Sequence, residues 1–152
     1  AAMAEAAEKV STKGLSLNVD HPSFLSPPHM GQALFDYIKS TGQQPPEDRA
    51  ILWRMVFEGL AASYARTTSD LEQMNHTVYQ QIAIVGGGSQ NALLNQLTAN
   101  ACQKTVVAGP IEATALGNIL TQMIAAKEIT SYKQGRKIIS SSFCLQTYTP
   151  KK

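Results

Sequence analysis

Between Met30 and Ser40 the apolar residues Ala33, Leu34, Tyr37 and Ile38 fall at helical spacing on one face, and Thr41-Gly42 supplies a stop. A longer amphipathic stretch follows. Ile51, Leu52, Met55, Val56, Leu60, Tyr64, Leu71 and Met74 keep the same spacing to about Asn75, which predicts a helix on the order of 40 Å long at 1.5 Å per residue. Pro45-Pro46-Glu47-Asp48 stand where a first helical turn accepts prolines and acids, because the unpaired N–H groups and the positive dipole end lie there. Ahead of both helices, Ala1 to Val10 is rich in Ala and Glu and favours helix, whereas Asp20-His21-Pro22 and Ser26-Pro27-Pro28 forbid its continuation and predict an extended loop.

After residue 80 the pattern changes period. Gln80 to Val85 is a short apolar run of strand type, Gly86-Gly87-Gly88 turns the chain, and Ser89 to Cys102 carries Ala92, Leu93, Leu97 and Ala101 on a helical face. Lys104 to Ala108 repeats the strand signal, Gly109-Pro110 breaks it, and Glu112 to Ala126 reads as a helix through Ala115, Leu116, Ile119, Leu120 and Met123. Strand, helix, strand, helix predicts an α/β fold with a parallel sheet. From Thr130 to Lys152 only Ile138, Ile139, Phe143, Leu145 and Tyr148 interrupt a polar stretch, which supports loop and an edge strand. The chain thus divides into a lead-in helix and loop (1–30), a helical segment (31–76), a strand-helix core (80–126) and a C-terminal extension (127–152).

At 152 residues with 43% hydrophobic and 16% charged positions, the chain suits one core rather than two large ones. Thirteen cationic against eleven acidic side chains are scattered through the sequence, so nucleic-acid and acidic-membrane binding gain no electrostatic support. No apolar run approaches the roughly 20 residues that span a bilayer, and no export signal opens the chain. Two cysteines, Cys102 and Cys144, fit a reducing cytoplasm. The opening Ala1-Ala2-Met3 suggests a fragment or a processed chain.

The glycine turn is the strongest candidate for chemistry. Three glycines after a buried strand remove every Cβ where the chain enters a helix, so a nucleotide or phosphate can approach bare backbone at the helix's positive end. A tight turn requiring positive φ is the alternative, although two glycines suffice for that. A dinucleotide fingerprint is incomplete, because Asn91 stands where a third glycine belongs. A Walker loop is excluded, since Gly88-Ser89-Gln90 lacks lysine. Ser89 occupies the nucleophile position of an elbow motif, yet no histidine follows His76. His21, His29 and His76 have no partners at metal-binding spacing and read as surface or loop residues. Glu112 suits a helix start, Gly117 in mid-helix hints at close packing or ligand approach, and Trp53, Phe57, Tyr64 and Cys102 read as packing residues.

Two long runs, Ile84-Val85-Gly86-Gly87-Gly88-Ser89-Gln90-Asn91-Ala92-Leu93-Leu94-Asn95-Gln96-Leu97 and Ala108-Gly109-Pro110-Ile111-Glu112-Ala113-Thr114-Ala115-Leu116-Gly117-Asn118, resemble the FGGY carbohydrate kinases. The likeness extends through Phe24 to Met30, Glu58-Gly59-Leu60-Ala61 and Tyr148-Thr149-Pro150, covering nearly everything after residue 20. The glycine and Ala-Gly-Pro segments are most similar to the branch acting on L-rhamnulose, with fuculose kinases the nearest rival. The resemblance implies an actin-like, ribonuclease-H-like domain with ATP and Mg2+ as cofactors, a ketose substrate, phosphorylation at the 1-hydroxyl, and ATP contacts at Gly86, Gly87, Gly88 and Asn91. By position, Gly87 matches the family's nucleotide-contacting glycine and Asn91 a neighbour of the adenine.

The family's phosphate loop, sugar-binding residues and catalytic aspartate precede the matched region. Asp20, Asp36, Asp48 and Asp70 are the only aspartates, and none has that context. No catalytic or metal-binding residue is therefore assigned to this chain, which is expected to be an inactive C-terminal portion of its kinase. Apolar surface left uncovered by the absent half predicts a homodimer. A non-catalytic nucleotide-binding or assembly module and a dehydrogenase fragment are the rival functions.

Overall fold

The computed structural model describes residues 2–151. Helix α1 (Ala2–Glu8) precedes a loop in which Pro22–Phe24 forms a single 3-10 turn, followed by α2 (Met30–Ser40) and the 27-residue α3 (Arg49–Asn75). Strand β1 (Gln81–Ile84), a 3-10 turn over Gly86–Gln90, α4 (Ala92–Cys102), β2 (Thr105–Ala108) and α5 (Ala113–Ala125) come next. Helix α6 (Tyr132–Ser142) and β3 (Gln146–Tyr148) complete the order.

The three strands form one sheet in the order β1-β2-β3. β1 and β2 run parallel with Ile82 opposite Val106 and Ile84 opposite Ala108, and β3 lies antiparallel on β2 with Tyr148 opposite Val106. The parallel pair fits the strand-helix-strand pattern of the sequence, and the edge strand falls in the C-terminal segment.

Two packed regions hold the chain. One joins Leu17, Leu34, Ile38, Leu52 and Met55, with Phe24, Tyr37 and Val56 packed around them, so that α2 and the loop before it close over the first half of α3. In the other, α4 packs against α3 and against β2, burying Thr98, Ala99 and Val106. Arg54 and Thr12 both bond the carboxylate of Glu58, at 2.6 and 3.1 Å, which ties the segment after α1 to α3. Among the described residues no helix is long and apolar enough to cross a membrane.

Several boundaries differ from the sequence reading, each for a local reason. The prolines at 45 and 46 lie outside α3, because Asp48 is its N-cap and accepts the Ala50 N–H at 2.8 Å. Helix α4 starts at Ala92 rather than Ser89, because Asn91 caps it by accepting the Leu94 N–H at 3.1 Å. Helix α6 is absent from the sequence reading altogether. Its start is a cap in which Ser131 accepts the Gln134 N–H and Gln134 reaches back to the Thr130 N–H. The apolar stripe of α3 outruns its cover, leaving Tyr64, Leu71 and Met74 exposed where packing was expected.

Candidate functional site

The turn between β1 and α4 is built by one glycine at positive φ and two that lack it. Gly86 has φ +74°, a conformation that side-chain-bearing residues avoid, and its N–H donates to the Pro110 carbonyl at 3.1 Å. Gly109, following β2, donates its N–H to the Ile84 carbonyl at 2.8 Å. These two bonds lock together the loops at the C-terminal ends of the parallel strands, the end at which open α/β sheets take ligands.

Gly87 and Gly88 are different. Neither has positive φ, a Cβ added to Gly87 would meet nothing within 4 Å, and one added to Gly88 would make only ordinary contact with Ile84 at 3.9 Å. Turn geometry thus accounts for the first glycine, while local packing accounts for neither of the others.

The four residues singled out from the sequence do not share one wall. Gly87 and Asn91 border a depression of about 400 Å3 together with Met3, Phe57, Ala92 and Leu93, with Glu5 and Glu8 from α1 on its lining. Gly88 faces a separate, mostly apolar hollow of about 390 Å3 beside Tyr64, Ile82 and Leu94. Gly86 shapes the turn. Ser89 and Gln90 border a third hollow of about 480 Å3 shared with Pro110, Glu112 and Phe143, and Gln90 also borders the Gly87 depression. Phe57, read from the sequence as packing, lies on the Gly87 side. Its apolar spacing could not distinguish a core position from a pocket wall.

Side chains behind the turn hold it in place. Ser89 is buried and donates its Oγ to the Gly86 carbonyl at 2.7 Å, so its hydroxyl serves the turn rather than a nucleophile's role. Asn95, fully buried on α4, donates from Nδ2 to the Ser89 carbonyl at 2.9 Å, and its Oδ1 has no partner among the described residues. An unpaired buried acceptor costs roughly 1–3 kcal/mol. In the sequence Asn95 is a polar residue at a core-facing helical position, an exception to the apolar pattern that signals a buried polar role.

The remaining candidates have local duties. His21, His29 and His76 are exposed, and no group of three or more metal-ligating side chains occurs among the described residues. Asp48 caps α3, Asp36 accepts from Gln32, and Asp20 receives Arg66 at 2.6 Å and Ser63 at 2.9 Å. The Arg66 hydrogen bond leads in holding the Asp20 carboxyl below its usual range. Glu112 stands at the N-cap of α5 without a side-chain cap bond. Gly117 has open space where a Cβ would sit, so close packing does not explain it. Cys102 is half-buried, and burial pushes its thiol pKa up, which keeps it protonated.

Known proteins share much of the chain's sequence and its fold. The chain is 42% identical over 135 residues to rhamnulokinase of Pectobacterium atrosepticum, covering 89% of this chain and 27% of that protein. It is 40% identical over 149 residues to rhamnulokinase of Bacillus subtilis, covering 98% and 31%. The crystal structure of xylulose kinase from Rhodospirillum rubrum superposes on 99% of this chain and 29% of its own with a TM-score of 0.66 at 19% identity, which establishes the shared fold. The chain therefore spans less than a third of the length of these relatives. Residues 1–126 match the model of the FGGY family of carbohydrate kinases, C-terminal domain, and the chain belongs to that family.

Proposed function

We propose that this chain, as a single partial domain over residues 1–152, forms the adenine-side wall of the ATP cleft in a kinase that phosphorylates L-rhamnulose at its 1-hydroxyl. The observation that carries the reading is Gly87, a glycine that neither φ nor packing requires, bordering a depression with Asn91. Bare backbone there lets a planar ring approach where a Cβ would hold it off.

The chemistry of the depression suits the base and ribose rather than the phosphates. Met3, Phe57 and Leu93 offer apolar surface to an adenine, while the carboxylates of Glu5 and Glu8 can accept from hydroxyl or amino groups and would repel a triphosphate. Gly86 fixes the turn and Gly88 keeps it slim, so the four residues contribute to ATP binding in different ways. Mg2+ would enter with the triphosphate and would neutralise its charge there.

In the reaction the sugar O1 attacks the γ-phosphorus in line, the bond to the β–γ bridging oxygen breaks, and ADP departs with that electron pair. By likeness to the family, the base that takes the O1 proton is an aspartate outside this chain. Rhamnulose as substrate rests on the rhamnulokinase relatives, and a cytoplasmic setting accords with a sugar kinase and with two free cysteines.

The test is a coupled ADP-release assay on the intact gene product with L-rhamnulose, L-fuculose and D-xylulose. The highest kcat/KM is expected for L-rhamnulose, and a preference for L-fuculose would reassign the substrate. ADP binding without turnover on any sugar would favour a non-catalytic nucleotide-binding module. The isolated 152-residue chain is expected to give no turnover and at most weak nucleotide binding, since half a cleft cannot position both substrates. A homodimer is the further expectation, supported by exposed Leu71, Met74 and Val78 near the end of α3. Light scattering showing a monomer at high concentration would remove it.

A further inference from the structure

We infer that Asn95 is a positioning residue that fixes the glycine turn for the nucleotide, an inference that rests on the reading of the Gly87 depression as the ATP site. Asn95 lies in the first turn of α4 with no exposure to solvent, and its side chain is directed back at the preceding turn. Its Nδ2 donates to the Ser89 carbonyl at 2.9 Å, and the Ser89 hydroxyl donates to the Gly86 carbonyl at 2.7 Å. The two bonds act in series. Asn95 holds the Ser89 end of the turn, and Ser89 holds its start.

Between these anchors stand Gly87 and Gly88, both exposed and without side chains to pack. Adjacent glycines have the widest backbone freedom of any pair, so a turn made of them needs restraint at its ends to keep its N–H groups in one place. The anchoring bonds supply that restraint from the buried side, which leaves the open side free for the ligand.

The chemistry of Asn95 argues that packing alone is not its purpose. A leucine of similar size would fill the same buried volume without placing a carboxamide in the interior, and the Asn95 Oδ1 has no partner among the described residues. Of the four hydrogen bonds that a carboxamide can make, Asn95 makes one among the described residues. The Nδ2 donor is what leucine lacks, and aspartate would turn acceptor oxygen toward the Ser89 carbonyl. The one bond that asparagine adds is therefore a bond to the turn.

The experiment uses the purified intact protein carrying Asn95→Leu, Asn95→Asp, Ser89→Ala, the Asn95→Leu/Ser89→Ala pair and Gly87→Val. Steady-state kinetics are read for each substrate, and ADP-induced thermal shifts give a readout that does not depend on turnover. Asn95→Leu is expected to keep the thermal midpoint of the wild type and to raise KM for ATP roughly tenfold, with the sugar KM unchanged. Asn95→Asp should lose ATP affinity as well. Ser89→Ala should raise KM for ATP alone and add little on the Asn95→Leu background, because both act through one turn.

An unchanged KM for ATP in folded Asn95→Leu overturns the inference. So does a parallel rise of both KM values with a fallen thermal midpoint, the pattern of an ordinary core residue. If Asn95→Leu does not fold, an unchanged KM for ATP in folded Ser89→Ala overturns it instead. Gly87→Val separates the two claims. Loss of ADP binding in Gly87→Val but not in Asn95→Leu sinks only the role of Asn95, whereas intact binding in Gly87→Val sinks the nucleotide site itself.

Discussion

Gly59 in α3 stands so close to Leu17 that a Cβ at position 59 would lie 2.5 Å from the Leu17 carbonyl oxygen, with Cγ1 of Val19 at 2.8 Å. The obstacle is backbone, which cannot swing aside as a side-chain tip can. Gly59→Ala gains helix propensity of about 1 kcal/mol, but overpacking a filled core typically costs about 1–3 kcal/mol. The variant is expected to be destabilised on balance, with a lower urea midpoint. A stability equal to or above that of the wild type would mean that the 15–19 segment moves away from α3 at little cost.

Gly87 gives the opposite expectation. With nothing within 4 Å of its missing Cβ and no positive φ, Gly87→Val should leave the thermal midpoint within a degree or two of wild type, as surface substitutions usually do within about 0.5 kcal/mol. Nucleotide affinity should fall by roughly tenfold or more, because a branched side chain fills the approach to the turn. Isothermal titration with ADP measures this directly. Undiminished affinity would assign the turn to structure alone.

Much of this arrangement was legible in the sequence, for reasons visible in particular residues. Helix α2 has the limits its apolar spacing predicts, because Thr41-Gly42 ends it and Gly42 adopts φ +76°. The parallel pairing of β1 and β2 follows from two apolar strands separated by one helix. Helix α6 escaped because the residue that it buries is Gly135, which fits under the methyl groups of Leu120, while its apolar side chains Tyr132, Ile138 and Ile139 are few within a polar stretch. Its cap, Ser131 with Gln134, was the signal available. Asn91 stands out in the sequence as a candidate site residue, but its service as the α4 cap becomes visible only with the backbone traced.

The cap formed by Asn91 and its proposed contact with the nucleotide can be separated. Its Oδ1 caps α4 through the Leu94 N–H, and either carboxylate oxygen of an aspartate can do the same, with an added favourable charge at the helix N-terminus. Asn91→Asp should therefore keep wild-type stability, while Asn91→Ala should lose about 1 kcal/mol. If Asn91 also meets the adenine through its Nδ2, both variants weaken ADP binding, and the aspartate does so without loss of stability. Full ADP affinity in Asn91→Asp would confine the residue to its cap.

Gly117 offers a stability gain with a functional readout. It lies inside α5 in open space, so Gly117→Ala should stabilise the protein by roughly 0.5–1 kcal/mol through helix propensity and a less disordered unfolded chain. If that more stable variant loses catalytic efficiency, something must approach the α5 backbone during function. Activity rising or holding with stability would leave the glycine without a functional reason.

The pair formed by Glu72 and Lys104 fixes how the fold responds to acid. The Lys104 Nζ lies 2.8 Å from Glu72 Oε1 across α3 and the start of β2, and the Tyr79 N–H donates to the same oxygen at 2.7 Å. The Lys104 hydrogen bond first, then that from Tyr79, holds the Glu72 carboxyl below its ordinary value of 4.5. A carboxylate whose folded-state pKa is depressed binds fewer protons in the folded than in the unfolded chain. Its contribution is therefore complete above the unfolded value and is lost as pH falls through the lower folded one. Glu72→Gln removes the charge and leaves Lys104, a mostly buried cation, without its counterion. Thermal midpoints measured from neutrality into acid should show the largest gap between wild type and Glu72→Gln near pH 7, closing below 4.5 as the wild-type carboxylate takes its proton. A gap that stays constant across that range would mean that the variant loses packing rather than charge.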